Sequence, residues 1–421
     1  MSFQQGLSGL NATSKNLEVI GHNVANSGTI GAKTSRAEFA DMYATALNGS
    51  SSTNVGIGVN LAAVTQQFTQ GNITATGNAM DLAINGNGFF QIEAPSGQVA
   101  YTRNGQFQVD RDGFIINAQK HKLMGYPADA TGVIQPGQAQ AMQLPTGGIK
   151  PKPTSEITME LNLDARVAST LPASGPPINL SDAKTYNNAT TLTLFDDKGQ
   201  DVAVTYYFQK AATDTWNVYV TANGTPLATD VNGAPAASTT INFPPNGGTP
   251  VAPVGPVLLN IPASTNAAGA TTLPITGVEL DLSGATQYGS NFGVTNLAQD
   301  GYAPGQLVGI GFENNGVVTA RYSNGQTKAA GQIELANFRN PQGLQPLGGN
   351  GWARTFASGD PRVGVPGDAN SGVLQASALE ESNVDLTAEL VNMIVAQRVY
   401  QANAQTIKTQ DQVLQTLVNL R

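Results

Sequence analysis

The residues that could do chemistry in this 421-residue chain are few. Two imidazoles are available, at His22 and His121, and neither has the glutamate and second histidine of an HExxH zinc site. His22 lies in a predicted helix, and His121 lies between two lysines. Both are therefore predicted to have structural or surface roles. Because the chain has no cysteine, disulfides, thiolate nucleophiles and cysteine-based metal sites are excluded.

Neighbouring carboxylates are the other candidate chemistry, because two acids can bind calcium or act as general acid and base. The pairs are Asp110 with Asp112, Asp196 with Asp197, and Glu380 with Glu381. Each stands where turns or helix starts ordinarily place acids. The chain also has no G-x-S-x-G elbow and no phosphate-binding G-x-x-x-x-G-K-[ST] loop. The sequence therefore predicts no catalytic residue, no cofactor and no metal site.

The composition also limits the partners of the chain. Charged residues make up 12% of it and the net charge is -8, so no basic stripe exists to bind nucleic acid. The N-terminus lacks the basic and apolar regions of a cleaved signal peptide. No uninterrupted apolar run approaches the length of a membrane span, so no membrane insertion is expected.

The elements that must position the side chains differ between the ends and the middle. Proline is absent before Pro95 and after Pro366, so only the ends could form long helices. Both ends repeat apolar residues at a 4-3 spacing, which is typical of helices that pack on other helices. The repeats are Phe3, Leu7, Leu10, Leu17 and Val24 in the first segment, and Leu386, Leu390, Met393, Tyr400, Ile407, Leu414 and Val418 in the last. We expect the first helix to stop near Gly28 and the last to begin at Asp385, with Ser382 and Asp385 as a capping box.

These helices have two interpretations. They could be amphipathic helices on an ordinary core, or they could pack on each other within one subunit or between subunits. The second is favoured because no other long helix is predicted, and because Ser14, Gly21, Gln397 and Asp411 interrupt the stripes and would weaken an isolated pair. The pattern thus predicts a self-assembling structural subunit whose ends meet in the polymer.

Between the helices the hydrophobic period changes to two, which predicts strands. Short strands are expected at 82–84, 89–92, 107–109, 114–116 and 317–322, and a second set at 191–195, 202–208 and 216–221 is the expected core of a sandwich or barrel. The Pro- and Ala-rich stretches 171–177 and 225–274 are predicted to be long loops over that core. The segment 29–70 is predicted to link inner and outer layers, with 48–58 flexible in the monomer.

The predicted fold class is α+β, mainly β, in a nested multidomain chain. Its terminal helices would form a coiled-coil-like inner domain, with two β-rich outer domains. The expected division is 1–28 with 380–421 as the inner domain, 29–70 with 364–379 as connecting segments, 71–147 with 284–363 as one β-rich domain, and 148–283 as an inserted outer β-rich domain.

Two short motifs resemble those of the bacterial flagellar axial proteins, the family of rod, hook and hook-associated proteins. In the N-terminal motif Ala25, Asn26, Thr29, Gly31 and Lys33 match, while Ala32 replaces the usual aromatic residue. The C-terminal motif runs from Leu379 through Ser382, Asn383, Val384 and Asp385 to Leu386. Within this family, 101–105 resembles the β domain that distal rod and hook proteins share. The segments 162–165, 299–302 and 337–341 resemble hook proteins, and distal rod proteins lack the inserted middle unit.

The resemblance implies a hook subunit that polymerises into a short curved tube and transmits torque from rod to filament as a universal joint. Implied partners are other copies of the chain, a distal rod protein, a hook cap, a hook–filament junction protein and the flagellar type III export apparatus. The implied location is extracellular, without a cleaved signal peptide. Three alternatives remain: a distal rod or hook-associated protein, a secreted β-rich binding module such as an adhesin, and a glycosidase-like enzyme using paired acids.

Overall fold

The computed structural model describes residues 2–42, 56–172, 177–368 and 370–419. Helix α1 (Ser2–Ala25) opens the chain and helix α2 (Leu386–Asn419) closes it, with short strands between them. The chain is therefore mainly β with one long helix at each end. By compactness it divides into a first unit, Met1–Thr146 with Gly309–Ala320 and Thr327–Arg421, and a second unit, Gly147–Val308 with Arg321–Gln326. The finer four-part division stays a prediction.

The strands before the second unit are β1 (Ser35–Met42), β2 (Gly58–Gln66), β3 (Ile73–Ala75), β4 (Leu82–Asn85), β5 (Phe89–Glu93), β6 (Val99–Thr102), β7 (Gln108–Val109), β8 (Ile115–Ile116), β9 (Lys122–Pro127) and β10 (Gln140–Ala141). Those that follow it or reach beyond it are β21 (Leu307–Phe312), β22 (Val317–Tyr322), β23 (Thr327–Ile333), β24 (Leu335–Asn337), β25 (Gln345–Gly348), β26 (Gly351–Ala353), β27 (Arg362–Gly364), β28 (Val373–Ala376) and β29 (Ala378–Glu380). A short 3-10 helix, Pro341–Gly343, precedes β25.

The strands of the second unit are β11 (Glu156–Asp164), β12 (Asn188–Phe195), β13 (Asp201–Ala212), β14 (Thr215–Ala222), β15 (Thr225–Pro226), β16 (Thr239–Asn242), β17 (Val257–Ile261), β18 (Ile275–Asp281), β19 (Thr286–Tyr288) and β20 (Gly293–Gln299).

The first unit joins the early and late parts of the chain by strand pairing. Antiparallel pairs form between β3 and β29, β4 and β28, β5 and β24, and β6 and β26. Leu82, Phe90 and Leu335 of these strands are buried in one core, together with Leu123 of β9 and Ile333 of β23. Since pairs of this kind connect residues far apart in the sequence, both halves of the chain are needed to complete the unit.

The hairpin-like pair β1–β2 lies between α1 and the rest of the first unit. Its antiparallel register runs from Ser35 opposite Gln66 to Met42 opposite Gly58, with an irregularity at Glu38. The segment predicted to be a linker thus contains two paired strands. Most of the portion predicted to be flexible, 48–58, lies outside the described residues.

The second unit is built from two sheets that share a core. One sheet pairs β12, β13 and β14 in order, and the other places β11 between β18 and β19. Trp216, fully buried, donates its indole N–H to Gln287 Oε1 at 2.9 Å. Since the three central strands coincide with the predicted second set, the period-two pattern located this core correctly.

The prediction of long loops over 225–274 is correct for most of the stretch and wrong for three short strands within it. The stretch contains β16, which pairs with β14, and β17, which pairs with β18. Ile241, Phe243, Leu259 and Ile261 bury alternate positions of these strands in the core. The prolines lie beside the strands and leave their hydrogen bonds intact. Of the other predicted loop, residues 173–176 lie outside the described residues.

Candidate assembly site

The terminal helices pack against each other in antiparallel fashion. A Cβ placed on Gly9 would lie 3.0 Å from the Asn403 amide, and one on Gly6 would lie 3.0 Å from Ile407. Toward the other end of α1, Asn23 Nδ2 donates to Glu389 Oε1 at 3.2 Å. Because glycine has no side chain, the start of α1 can approach the end of α2 closely.

The buried seam of this helix pair is small and polar. On α1 it contains Gly6, Thr13, Ile20 and Asn23, and on α2 the buried residue is Ala396. The Thr13 hydroxyl donates a hydrogen bond to the Gly9 carbonyl at 2.7 Å, so this buried polar group has its partner within the helix. The 6-9-13-16-20-23 spacing of this seam is a regular 3-4 repeat that sequence reasoning missed, because Ile20 is the one hydrophobic residue among these six positions.

The predicted apolar stripe lies beside that seam. Phe3 and Leu7 are 47% and 44% exposed. Leu10, Leu17, Val24, Met393 and Ile407 are half-buried, and Leu386, Leu390, Tyr400, Leu414 and Val418 are exposed. The structure therefore brings Ile407 against Gly6 of α1 and leaves most of the other stripe residues exposed.

Helix α2 is apolar on further sides as well. Val391, Ile394, Val395 and Val399 are each about half exposed, and of these Val395 and Val399 line a cavity beside the seam. A helix that is hydrophobic around most of its circumference is ordinarily buried. Contiguous exposed apolar surface of this kind marks an interaction surface, so α2 has the character of a helix that packs on several neighbours.

Beneath the helices lies a buried cluster of three charges, here called the junction: Lys33, Arg103 and Glu380. Lys33 Nζ lies 2.6 Å from Glu380 Oε1, and Arg103 Nη1 lies 3.0 Å from Glu380 Oε2. The side chains of Lys33 and Glu380 have no exposed surface and that of Arg103 is 4% exposed. One carboxylate therefore holds two cations, one from the segment after α1 and one from the β-rich part.

Backbone groups complete the bonding of the junction. Lys33 Nζ also donates to the Thr69 carbonyl at 2.7 Å, and the Gly71 N–H donates to Glu380 Oε1 at 3.0 Å. Burial lowers the pKa of Lys33 and that of Arg103, and attraction to the Glu380 carboxylate offsets part of each change. Such a cluster tolerates burial only while each charge keeps its partners.

The backbone at Gly31 packs closely against the backbone of Glu380 and of Asn104. Its N–H donates to the Glu380 carbonyl at 2.9 Å and its φ is +71°. A Cβ at this position would lie 2.7 Å from the Asn104 nitrogen. Glycine is therefore required both by the left-handed backbone and by the approach of the Arg103–Asn104 peptide.

Two asparagines clamp the segment between α1 and β1. Asn383 Oδ1 accepts hydrogen bonds from the Thr34 N–H at 2.7 Å and the Thr34 hydroxyl at 2.8 Å, while its Nδ2 donates to the Gln67 carbonyl. Asn23 Oδ1 accepts from the Ser35 N–H at 2.9 Å and Nδ2 donates to the Ser35 carbonyl. The two motifs predicted from sequence thus meet in space.

The remaining motif residues shape the helix ends. Helix α1 ends at Ala25, before the predicted stop at Gly28, and Asn26 Nδ2 donates to the His22 carbonyl at 2.9 Å. Thr29 Oγ1 lies 3.4 Å from Asn26 Oδ1. Ala32, which stands in place of the usual aromatic residue, is buried.

The start of α2 differs from the predicted capping box. Asp385 Oδ1 accepts hydrogen bonds from the Thr387 and Ala388 N–H groups at 2.9 and 3.1 Å, which makes Asp385 the N-cap. Ser382 Oγ instead accepts from the Val384 N–H at 3.3 Å. The capping-box prediction was wrong in making Ser382 the cap. Asp385 lies directly before the helix, so its carboxylate accepts the hydrogen bonds of the first N–H groups of α2.

The candidate catalytic groups occupy structural positions. Asp196 accepts N–H groups from Lys198 and Gln200 in a turn, Asp110 does the same for Asp112 and Phe114, and Glu380 is held in the junction. Within the described residues no group of three or more metal-ligating side chains occurs. Nor is any helix in the described ranges long and apolar enough to cross a membrane.

Four family models match the chain. They are "Flagella basal body rod protein" over 3–33, "Flagellar hook protein FlgE/F/G D1 domain" over 83–161, "Flagellar basal body protein FlaE D2 domain" over 162–302, and "Flagellar basal body rod FlgEFG protein C-terminal" over 375–420. With the helix pair and the junction between the two end motifs, these matches define a structural protein of the flagellar axis.

Curated relatives narrow that class. The flagellar hook protein FlgE of Salmonella typhimurium is 44% identical over 428 residues, and that of Escherichia coli is 42% identical over 429, each alignment covering 100% of both chains. The hook protein of Brucella suis is 31% identical, covering 100% of this chain and 98% of its own. The chain belongs to the flagellar hook protein FlgE family, and it is a structural subunit of the hook.

A solved structure shares the fold. The crystal structure of Helicobacter pylori flagellar hook protein FlgE2 matches with a TM-score of 0.50 and 15% identity, covering 73% of this chain and 100% of that one. At this identity the likeness concerns the fold alone.

Proposed function

We propose that copies of this chain polymerise through their terminal helices into a short curved tube, which transmits torque from rod to filament as a universal joint. One observation carries the proposal: α2 exposes apolar side chains on several sides of the helix, although α1 already covers one side. Burying such side chains between subunits would stabilise a polymer by about 1.5–3 kcal/mol for each large residue.

The helices and the β-rich surfaces of the subunit would have different mechanical roles. Closely packed helices resist twisting, because interdigitated side chains cannot slide without leaving their contacts. Outer β surfaces with few charges could shift against each other without breaking strong ion pairs. The junction would carry force between these layers, since it ties the segments next to both helices to the β-rich part of the first unit.

The proposed setting is extracellular, at the base of the flagellum. The partners would be other copies of the chain, a distal rod protein, a hook cap, a hook–filament junction protein and the flagellar type III export apparatus. The terminal helices would form a coiled-coil-like inner domain, and the chain would carry no catalytic activity, cofactor or nucleic-acid partner.

Deletion of the coding region in the source bacterium tests this proposal, with electron microscopy of the flagellar bases and a complemented strain alongside. We expect basal bodies that stop at the rod, and curved tubes restored by complementation. Intact hooks and filaments in the deletion strain would refute the proposal. Loss of the rod itself would instead assign the chain to a position nearer the cell.

A further inference from the structure

We propose that a cavity in the first unit binds a carboxylate presented by a second copy of this chain; the inference rests on the proposed function, since it requires copies that pack together. The cavity has a volume of about 610 Å³ and its charged lining residues are Arg103, Arg339, Arg362 and Asp368. Since Arg103 is already paired with Glu380, the two remaining arginines against one aspartate give the cavity a net charge of +1. It is here called the arginine cavity.

Arg103 lines this cavity and has one unused hydrogen-bond donor. Its Nη1 donates to Glu380 and its Nη2 donates to the Gly86 carbonyl at 2.9 Å. Its Nε is buried and has no acceptor among the described residues. A buried N–H without an acceptor is costly, so an oxygen atom that reached this N–H would remove an existing penalty.

Arg339 and Arg362 supply the unpaired charge. Both are exposed, and neither forms an ion pair with an acid in the described part of the chain. Arg362 on β27 stands directly opposite Asn337 on β24, so the two side chains share one face of the sheet. A planar guanidinium matches the two oxygens of a carboxylate, which makes arginine the better residue for binding such a group.

The walls of the cavity strengthen this attraction. Phe68, Phe89 and Phe338 line it, and the rings of Phe89 and Phe338 lie 5.9 Å apart in an edge-to-face arrangement. Apolar walls exclude water and lower the local dielectric constant, so a charge pair formed there is stronger than one on an open surface.

Charge balance favours another copy of the chain as the source of the carboxylate. The sequence has 29 acids and 21 lysines and arginines, so its surface offers carboxylates in excess of cations. A cavity of net charge +1 is therefore complementary to the rest of the same molecule, and a polymer brings copies into permanent contact. A free phosphate ion would satisfy the same guanidinium groups and must be distinguished by experiment.

The first experiment compares polymerisation of the purified full chain with that of the Arg339→Gln/Arg362→Gln double variant, by sedimentation over a concentration series. Loss of desolvated charge pairs should raise the concentration needed for assembly about tenfold or more. The matched control is Arg321→Gln, an exposed arginine outside the cavity, which should assemble like the wild type. Near-ultraviolet circular dichroism of the monomers checks that all three proteins are folded.

A second experiment identifies the carboxylate directly. In polymers of Arg362→Lys treated with a carbodiimide, we expect an amide link between position 362 and an aspartate or glutamate of another copy, found by mass spectrometry. Equal assembly of the wild type and the double variant would overturn the proposal. So would saturable binding of inorganic phosphate to the wild-type monomer together with normal assembly of the double variant. Wild-type chain that restores no hooks would instead refute the proposed function itself.

Discussion

Glu380 bonds two cations that come from distant parts of the chain, Lys33 and Arg103. A single buried carboxylate of this kind cannot be exchanged for a neutral group without leaving both partners uncompensated. Breaking a buried ion pair by removing one partner costs about 3–5 kcal/mol, far more than an exposed pair. The junction is therefore the place where one side chain has the largest effect on the first unit.

We predict that Glu380→Gln destabilises the first unit by about 3–5 kcal/mol, because two buried cations lose their counter-charge. Hydrogen exchange of peptides from 27–34 and 99–105 in the full chain at increasing urea measures the effect. The neighbouring Glu381→Gln is the control and should stay within about 0.5 kcal/mol of the wild type. Equal behaviour of the two variants would contradict this assignment.

Gly31 gives a second prediction at this scale. Gly31→Ala should destabilise the first unit by about 1–3 kcal/mol, because the new Cβ meets the Arg103–Asn104 peptide and the backbone is left-handed. Gly28→Ala is the matched control, since a Cβ there meets nothing within 4 Å. Thermal unfolding of both variants measures the difference. A Gly31→Ala protein as stable as the wild type would contradict the close contact between Gly31 and the Arg103–Asn104 peptide.

The carboxyl group of Glu334 should make the stability of the protein depend on pH. Burial raises the pKa of Glu334, and its hydrogen bond with Tyr126 offsets part of that rise. The folded state therefore holds a proton at pH values where the unfolded chain has released it, and stability falls as the pH rises through the folded-state pKa. Glu334→Gln should be more stable than the wild type at pH 8, and this advantage should shrink toward pH 4.

Melting temperatures at the two pH values test the Glu334 prediction. Glu313→Gln, at an exposed site, is the control and should follow the wild type at both. A Glu334→Gln protein with the pH dependence of the wild type would show that this carboxyl group is not the source.

At the scale of elements, the sequence predicted both helices because long stretches free of proline and with a clear period permit little else. It could not place the helix seam, since Gly6 and Thr13 have no hydrophobic signal and make their contact through small size. The family motifs identified Lys33 and Asn383, whereas Arg103 and Asn23 became visible as partners only when the fold placed them beside those residues.

The strands in the Pro-rich stretch show a different limit. Strands β16 and β17 are short, and their buried residues Ile241 and Leu259 are separated by prolines and glycines that indicate loops. Their partners β14 and β18 lie elsewhere in the sequence, so pairing rather than local preference makes them strands.

The exposed apolar side chains of helix α2 lead to a prediction about polymerisation. Leu390→Gln should leave the monomer within about 0.5 kcal/mol of the wild type, because Leu390 is 45% exposed. It should raise the concentration needed for polymerisation about tenfold or more, because a large apolar side chain loses its burial between subunits. Thr387→Gln, at an exposed position of the same helix, is the control, and normal tubes from Leu390→Gln would reject the assembly surface.

At the scale of the whole molecule, each unit has a core of its own. Leu123 is buried in the first unit and Leu259 in the second, and each belongs to a different cluster of buried residues. Chains with separate cores commonly unfold in more than one step.

We therefore predict two calorimetric transitions. Leu123→Ala should lower one of them and Leu259→Ala the other, each by about 2–5 kcal/mol, because each change opens a cavity in one core. Differential scanning calorimetry of the full chain measures this. One transition that both variants lower together would show that the two units unfold as one.

The separation of the junction residues along the chain determines when the junction can form. Lys33 and Glu380 are separated by 347 positions, and their contact closes a loop that includes the whole second unit. Under the proposed export through a narrow channel, one end first, this contact could not form until the other end had also emerged. The subunit would then acquire its finished form only outside the cell, and a molecule released too early would be left with open ends and unmatched buried charges.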